Sequence, residues 1–330
     1  MSVNRGISVV IPNYNGLALL PQVLPTVLLA LQRVAIPSEI IVSDDCSTDG
    51  SPGMLRQNFP QVKLVSNAVN SGFSVTANNG VRSAQYDWVL LLNSDVKLEP
   101  DYFNTLLRYM DDSAVFGVMG RIIGWEDEEI QDGAKYPYFH GVKIKTSGNY
   151  LLQNEAEMSN GIPSMYVSGA NMFVNRSRYL AIGGLNELFS PYYVEDFELS
   201  LRAWRLGYQC IYDHFAVCRH RTSSTIASSS RKKQVRKIYN RNKMYLHAIH
   251  LEQPKRFLWF LQLFPEALGY FVLGRWTYLR SLFLFLGNYA KVKESRRQLY
   301  ALKPKGSLLS LQQVADRILD STKGKAIRRF

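Results

Sequence analysis

The 330-residue chain is 46% hydrophobic and 12% aromatic, which excludes a disordered protein and leaves room for one large domain or two smaller ones. Its three cysteines form no CxxC pair, so the sequence predicts no disulfide framework and favours a reducing compartment. The N-terminus holds one early Arg and a five-residue apolar run, which is too short for a secretory signal.

Charge is distributed unevenly along the chain. Residues 231–330 hold 22 Lys/Arg and 5 Asp/Glu, whereas residues 1–230 hold 17 Lys/Arg and 22 Asp/Glu. The first part is therefore mildly acidic and the last hundred residues are strongly basic. Such asymmetry indicates that the two parts meet different partners.

Strands and helices alternate through the first hundred residues. The apolar patterns predict four strands, at 7–11, 39–43, 62–66 and 88–92. Helical spacing predicts helices within 17–35, where two prolines suggest a late start, and at 74–84 and about 100–110. The segment 167–175 is expected to form a strand that opens onto a small-residue turn at 168–170, and another strand is expected at 209–218. This alternation predicts βαβ units and a mostly parallel α/β sheet.

Polar clusters follow three of these strands. Residues 12–16 (PNYNG) follow the first, Asp44 and Asp45 follow the second, and Asn93, Ser94 and Asp95 follow WVLLL at 88–92. Parallel connections bring such strand ends to one edge of a sheet, where ligands collect in α/β folds. Carboxylates there suit Mg²⁺ or Mn²⁺ and a nucleotide. The alternative for any one cluster is a simple turn.

Two common nucleotide-binding motifs are missing after the first strand. IPNYNG stands where a dinucleotide-binding protein has GxGxxG, and no GxxxxGK[ST] pattern follows. The sequence therefore predicts a nucleotide site that belongs neither to a dehydrogenase nor to a P-loop ATPase.

An ordered set of motifs covers roughly residues 5–225. It comprises ISVVIPNYNG, IIVSDDCSTDG, NSGFSVTANNGV, LLLNSDVKLEPDYF, GGLNELFSPYYVEDFELSLRAWRLGY and HRTSST. In order and spacing this set resembles family 2 of the inverting glycosyltransferases, which have the GT-A fold. Within that family it is most similar to enzymes that add rhamnose or related sugars to lipid-linked or cell-surface glycans.

The resemblance implies a donor-nucleotide site at the strand ends. It implies that Asp44 accepts a hydrogen bond from the pyrimidine imide, with Asp45 beside it as support or ribose contact. The turn at 70–72 would close over the nucleoside. The full set of implied nucleotide-binding residues is Pro12, Tyr14, Asn15, Asp44, Asp45, Asn78, Asn93 and Ser94.

The resemblance also implies a divalent metal, Mn²⁺ or Mg²⁺, bound by Asp95 at the family's DxD position. Asn93 replaces the first Asp of that motif, so a second ligand is needed. His220, which precedes Ser223 and Ser224, is implied as that ligand; the alternative is a histidine with no ligand role. His214 is interpreted as structural.

Glu195 and Asp196 are the implied catalytic acids. They precede a helical pattern, and the alternative is that they only favour the start of a helix. The resemblance makes Asp196 the base that takes a proton from the acceptor hydroxyl and Glu195 its orienting neighbour. Glu198 stands where the family usually has Asp, which leaves its role open. The small residues Ser168, Gly169 and Ala170 are expected beside donor sugar and acceptor.

The sequence predicts a catalytic domain at 1–228, with a nucleotide-sugar half at about 1–110 and an acceptor half at about 111–228. Residues 125–165 match no motif and are expected to shape the acceptor pocket. Aromatic side chains there either stack on sugar rings or pack ordinarily: Trp125, Tyr136 and Tyr138.

A basic, amphipathic helical region is predicted at 229–330. Its apolar runs at 257–287 are interrupted by Pro265-Glu266, Arg275 and Arg280, so none is long enough to span a membrane. Interleaved aromatic, Arg and Leu residues favour helices lying on a membrane surface. Packing on the catalytic domain and homodimer formation are the alternatives.

The sequence thus predicts a metal-dependent inverting glycosyltransferase that uses a UDP- or dTDP-linked sugar. The expected acceptor is a lipid-linked glycan at the cytoplasmic face of the cell membrane. The expected process is cell-surface polysaccharide synthesis. Two other classes stay open: a nucleotidyltransferase that makes a sugar nucleotide, and a nucleic-acid-binding protein that uses the basic region. A nucleotidyltransferase would need Lys or Arg after the first strand to hold a triphosphate, and IPNYNG has neither. The basic region holds no recognised nucleic-acid-binding motif, so no nucleic-acid partner is expected.

Overall fold

The centre of the fold is a parallel sheet built from the four predicted strands. The computed structural model describes residues 4–221, 229–302 and 307–330. The strands are β1 (Ile7–Asn13), β2 (Ser38–Asp44), β3 (Lys63–Ser66) and β4 (Trp88–Leu92), and β1 pairs in parallel with both β2 and β4. Along β4, Val89 and Leu91 pack into one hydrophobic core and Leu90 into the other. The strand is therefore buried on both faces, as its unbroken apolar run predicts.

Helices α1 (Leu20–Gln32), α2 (Ser51–Asn58) and α3 (Phe73–Ser83) connect these strands. The expectation that prolines delay α1 is wrong, because the helix begins at Leu20. Pro21 occupies the first turn, where a missing backbone N–H costs no intrahelical hydrogen bond.

The predicted helix at about 100–110 is also wrong in type and length. The described chain forms turns there, followed by a 3₁₀ helix at Leu106–Asp111. The Asn104 side-chain amide donates to Asp101 Oδ1 at 3.2 Å, and the Asn104 N–H donates to the Asp101 carbonyl at 3.0 Å. Short polar side chains of this kind stabilise turns in competition with an α-helix.

The sheet continues beyond β4 with strands of mixed direction: β5 (Val96–Leu98), β6 (Val115–Gly124), β7 (Ile130–Asp132), β10 (Ile162–Pro163), β11 (Asn171–Asn175) and β12 (Gln209–His220). The order across the whole sheet is β10-β12-β6-β11-β4-β1-β2-β3, with β5 paired to β12 and β7 to β6. The turn predicted at 168–170 precedes strand β11, which begins at Asn171. Since β11 is antiparallel to β4, with Asn171 opposite Leu92, this turn lies beside the end of β4.

A second sheet covers part of the segment that matched no motif. Strands β8 (Ala134–His140) and β9 (Lys143–Leu152) form an antiparallel hairpin, and β13 (Ile327–Arg329) pairs with β9. Two short helices, α4 (Arg176–Ala181) and α5 (Glu195–Arg205), complete the first 221 residues together with 3₁₀ turns at Glu155–Met158 and Glu187–Phe189.

The basic region forms helices, as predicted. They are α6 (Ser229–His250), α7 (Lys255–Val272), α8 (Trp276–Gly287), α9 (Tyr289–Ala301) and α10 (Leu311–Ser321). Tyr245, Trp259 and Phe285 belong to the same hydrophobic core as Val89 and Leu91 of the sheet. The helices therefore pack on the sheet unit, and among the described residues none forms a helix that is long and apolar enough to cross a membrane.

Candidate active site

A cavity of about 1290 Å³ opens at the carboxyl ends of the parallel strands. The three polar clusters meet there because β1, β2 and β4 run in parallel and end at one edge. The predicted site residues in its lining are Pro12, Tyr14, Asp45, Asn93, Asp95, Ser168, Gly169, Ala170, Glu195, Asp196 and His220, together with Asn70 and Gly72 of the predicted turn.

Four other predicted residues, Asn15, Asp44, Asn78 and Ser94, are not part of that lining. Asp44 is buried and accepts hydrogen bonds from the Asn13 amide at 2.8 Å and the Ser47 N–H at 2.9 Å. Asn78 is buried as well, and its amide donates to the Leu185 carbonyl at 2.9 Å. Both side chains hold loops together instead of facing the cavity.

Asp45 is the carboxylate that β2 brings to the cavity wall. Its two oxygens accept hydrogen bonds from the backbone N–H groups of Ser71 and Gly72, each at 2.8 Å, and from the Asn67 amide at 2.9 Å. Gly72 has φ +87°, a left-handed conformation that favours glycine. Asp45 thereby fixes the turn at 70–72 against the strand ends, so that the turn and the carboxylate face the same space.

Asp95 and His220 lie next to each other, as the sequence predicts for a metal-binding pair. Strand β5 pairs with the end of β12, which sets Val96 opposite His220. His220 Nε2 is 3.5 Å from Asp95 Oδ2, and Gln131 Oε1 is 3.1 Å from His220 Nδ1. A hydrogen bond at Nδ1 directs Nε2 towards Asp95.

These donors fit a divalent cation. Asp95 Oδ1 is buried and has no hydrogen-bond partner among the described residues, so a ligand position is available on it. A carboxylate and an imidazole suit Mn²⁺, and Mg²⁺ is typically held by one or two carboxylates with substrate phosphates. In the part of the chain that the structure describes, no group of three or more His, Cys, Asp or Glu side chains could hold a metal alone. Ser223 and Ser224 lie outside the described residues.

The acidic pair Glu195-Asp196 begins α5 and faces the cavity. Asp196 Oδ2 accepts a hydrogen bond from the Gly169 N–H at 3.1 Å, which joins it to the small-residue turn at 168–170. Burial raises the pKa of both carboxyls, and the charge of Asp196 raises the pKa of Glu195 further. Glu195 Oε2 is buried without a hydrogen-bond partner among the described residues. The site therefore favours one proton on the pair.

The backbone that leads into α5 is strained, and a side chain of α6 donates hydrogen bonds to it. Tyr193 and Val194 both have positive φ, 74° and 75°, which is rare for residues other than glycine. The buried Asn242 amide donates to the carbonyls of Phe189, Tyr192 and Tyr193 at 2.7, 3.0 and 2.8 Å. Sequence reasoning missed Asn242, because nothing in a lone Asn within a basic helix distinguishes it from a surface residue.

The cavity also includes residues from the segment that matched no motif. Gln131, Asp132 and Lys135 line it, and Lys135 Nζ pairs with Asp132 Oδ1. Sequence reasoning missed all three because the strands β7 and β8 that place them carry no recognisable pattern. The aromatic residues weighed for sugar stacking, Trp125, Tyr136 and Tyr138, are not part of the lining.

The side chains of Glu198 and His214 contact other residues of the fold. Glu198 pairs with Arg202 at 2.5 Å and with His250 at 3.2 Å; burial opposes its ionisation, but these two partners lower its pKa to about 2. His214 contacts Tyr212 and Arg121, and burial lowers its pKa to about 4. The structural interpretation of His214 agrees with these contacts, and Glu198 is not part of the cavity lining.

The mostly parallel sheet, with a carboxylate-lined cavity at its strand ends, defines a glycosyltransferase of the GT-A fold. The chain belongs to glycosyl transferase family 2, whose family model matches residues 8–178. Both the fold and the family predicted from the sequence are confirmed.

Known proteins with similar sequences or folds agree with this assignment. The chain is 25% identical over 228 residues to N-acetylglucosaminyl-diphospho-decaprenol L-rhamnosyltransferase of Mycobacterium tuberculosis, covering 62% of this chain and 73% of the relative. It shares the fold of GalNAc-T7, solved with UDP, GalNAc and Mn²⁺, at a TM-score of 0.69 and 16% identity, covering 98% of this chain and 58% of the other. The mannosyltransferase PcManGT from Pyrobaculum calidifontis, solved with GDP-Man and Mn²⁺, gives a TM-score of 0.53 and 15% identity, covering 96% and 88%.

Proposed function

We propose that this glycosyltransferase moves a sugar, with inversion, from a UDP- or dTDP-linked donor to a hydroxyl of a glycan acceptor in a metal-dependent reaction. The observation that carries the proposal is the convergence of three groups on one cavity: Asp45, the Asp95–His220 pair and Asp196. They supply a nucleoside contact, a cation site and a base, which are the parts that such a transfer needs.

The donor would lie along the strand ends. Pro12 and Tyr14 border its nucleoside, Asp45 and the turn at 70–72 enclose it, and Asn93 offers an amide to the ribose. Asp95 and His220 would hold Mn²⁺ or Mg²⁺, as the bound Mn²⁺ in the structures of GalNAc-T7 and PcManGT supports. A bound cation would offset the negative charge of the departing nucleoside diphosphate.

Asp196 would take the proton from the acceptor hydroxyl. The Gly169 N–H holds one of its oxygens, and the small side chains at 168–170 let the acceptor and the donor sugar approach. The raised pKa of Glu195 keeps that neighbour protonated, so it can donate a hydrogen bond to the acceptor or to Asp196 without adding charge. No enzyme nucleophile is needed for a direct displacement.

The proposed acceptor is a lipid-linked glycan at the cytoplasmic face of the cell membrane, in cell-surface polysaccharide synthesis. Support comes from the name of the mycobacterial relative, which describes a rhamnosyl transfer to a decaprenol-linked N-acetylglucosamine.

We propose that the chain is divided as the sequence predicts. A catalytic domain would comprise a nucleotide-sugar half at about 1–110 and an acceptor half at about 111–228. The helical region at 229–330 would associate peripherally with the membrane.

The test is a transfer assay with a panel of UDP- and dTDP-sugars, Mn²⁺ or Mg²⁺, and a polyprenyl-diphosphate-linked N-acetylglucosamine. We expect release of nucleoside diphosphate together with a glycosylated product, whose anomeric configuration by NMR is opposite to that of the donor. Retained configuration would contradict inversion. Release of pyrophosphate from a nucleoside triphosphate and a sugar phosphate would instead identify a nucleotidyltransferase.

A further inference from the structure

Helices α7 and α8 present a broad apolar surface to solvent. Ten large apolar side chains within residues 255–287 are more than half exposed, with exposed fractions between 54% and 76%. They are Phe257, Leu261, Phe264, Leu268, Phe271, Val272, Leu273, Trp276, Phe283 and Leu286, and we call this surface the hairpin face. Monomeric soluble proteins rarely expose contiguous apolar patches of this kind unless the patch binds a partner.

The hairpin face is the outer side of well-packed helices. On their inner side Trp259, Leu263 and Phe285 are buried in the core that they share with the sheet. The helices are therefore apolar on both sides, although packing on the sheet unit accounts for only one of them. An amphipathic helix that served packing alone would be polar on the outside.

The charges around the hairpin face are almost all positive. Arg275 and Arg280 are exposed between its apolar residues. The one acidic residue in the stretch 255–287 is Glu266, and it is occupied by Lys143 and by the Tyr278 hydroxyl at 2.8 Å. Helix α6, which packs beside α8, carries seven Lys/Arg and no Asp/Glu. A second copy of this face would bring like charges together, whereas an anionic surface complements them.

We propose that the hairpin face docks on an anionic lipid bilayer, with α7 and α8 lying in the plane of the membrane surface. The apolar side chains enter the boundary between headgroups and acyl chains, and Arg275 and Arg280 reach the lipid phosphates. The described helices are too short or too polar to span the bilayer, so docking is peripheral. The inference deepens the proposed function, since it rests on an acceptor that is anchored in the membrane.

The packing of α8 on α6 connects this face with the cavity. Ser281 Oγ of α8 donates to the Lys237 carbonyl of α6 at 2.9 Å, and Arg231 of the same helix lines the cavity. Lys237 and Arg231 are six helical residues apart, which corresponds to about 9 Å along α6. Helix α6 therefore links the helix that carries part of the hairpin face to a residue of the cavity lining.

The test is co-sedimentation of the full chain with vesicles of phosphatidylcholine that contain or lack phosphatidylglycerol. We expect the variant Phe264→Ser/Phe271→Ser/Phe283→Ser to bind both kinds of vesicle at least about tenfold more weakly than the unaltered chain. The variant Arg275→Gln/Arg280→Gln should lose about tenfold only with the anionic vesicles. The matched control Leu17→Ser/Leu29→Ser/Val69→Ser, which alters exposed apolar residues of the nucleotide half, should bind like the unaltered chain.

Thermal stabilisation by UDP or dTDP with Mn²⁺ is measured on every variant, which separates this inference from the proposed function. Loss of vesicle binding with retained nucleotide binding supports the inference. Equal vesicle binding by all variants overturns it. A serine variant that binds vesicles normally but loses self-association in sedimentation velocity overturns it too, because the face would then cover a second copy of the chain.

Discussion

The strand-edge cavity and the C-terminal helices differ in charge and in the kind of side chain that each presents to solvent. The cavity gathers carboxylates from separate elements, among them Asp45, Asp95 and Asp196, and shields them in a concave wall. The helices expose large apolar side chains among Arg and Lys. Acidic groups that converge suit chemistry on a metal-bound diphosphate, whereas dispersed cations and apolar groups suit a surface partner.

The two regions nevertheless meet at the segment that leads into α5. Asn242 of α6 holds three carbonyls of the strained segment that leads into Glu195 and Asp196. We therefore propose two roles for the helical region: its inner side supports the segment at 189–194, and its outer side docks on the membrane. Substitutions in each region test this division.

Replacement of the proposed base should have the largest effect. We expect Asp196→Asn to lower the transfer rate by about a thousandfold or more, since an amide cannot accept the proton of the acceptor hydroxyl. Donor affinity should be retained, as judged by isothermal titration with the nucleotide and Mn²⁺. Asp127→Asn, which alters another acid of the cavity lining, is the matched control and should transfer nearly normally. A normal rate in Asp196→Asn would refute its role as base.

The affinity for Mn²⁺ should depend on Gln131, which contacts Nδ1 of His220. We expect Gln131→Leu to weaken Mn²⁺ binding about tenfold, since loss of the contact to Nδ1 frees the ring to turn away from Asp95. Electron paramagnetic resonance of free Mn²⁺ measures this without any turnover. His220→Ala should weaken binding at least as much. Unchanged Mn²⁺ affinity in both variants would remove His220 from the metal site.

The hydrogen bonds of Asn242 should contribute both to the stability of the fold and to the rate of sugar transfer. Asn242→Ala leaves the carbonyls of Phe189, Tyr192 and Tyr193 without their shared donor, which we expect to cost about 1–3 kcal/mol of unfolding free energy. The rate of transfer should fall as well, while vesicle binding stays as in the unaltered chain. Urea unfolding and the transfer assay provide the two readouts. A variant with normal stability and rate would show that α6 does not support the loop.

The smallest effect on rate is expected from Glu195→Gln. Because burial raises the pKa of Glu195, the folded protein keeps a proton that the unfolded chain releases, so this group stabilises the fold at low pH and loses that contribution as pH rises. Glutamine mimics the protonated acid, and the variant should transfer within about fivefold of the normal rate. Its melting temperature should fall less than that of the unaltered chain between pH 5 and 9. Parallel pH profiles for the two proteins would contradict the raised pKa.

The sequence predicted the centre of the fold and much of the cavity, because both depend on local patterns. The run WVLLL and its parallel neighbours determine which polar clusters meet, and Asp95 and His220 lie together as predicted. The prediction was less accurate where tertiary contacts decide. Asp44 and Asn78 carry the right chemistry, but internal hydrogen bonds use their polar groups. Gln131, Lys135 and Asn242 reach the site only through long-range packing, which no local pattern records.

The proposed function requires that the strand-edge cavity bind a nucleoside diphosphate through a metal held by Asp95. The thermal shift that UDP and dTDP produce is measured with and without Mn²⁺, in the unaltered chain, in Asp95→Ala and in the control Asp127→Ala. Binding to the folded state raises the melting temperature by mass action. We predict a Mn²⁺-dependent shift in the unaltered chain and in Asp127→Ala that is absent in Asp95→Ala. An equal shift in all three proteins would contradict this prediction and place the metal-dependent nucleotide site elsewhere.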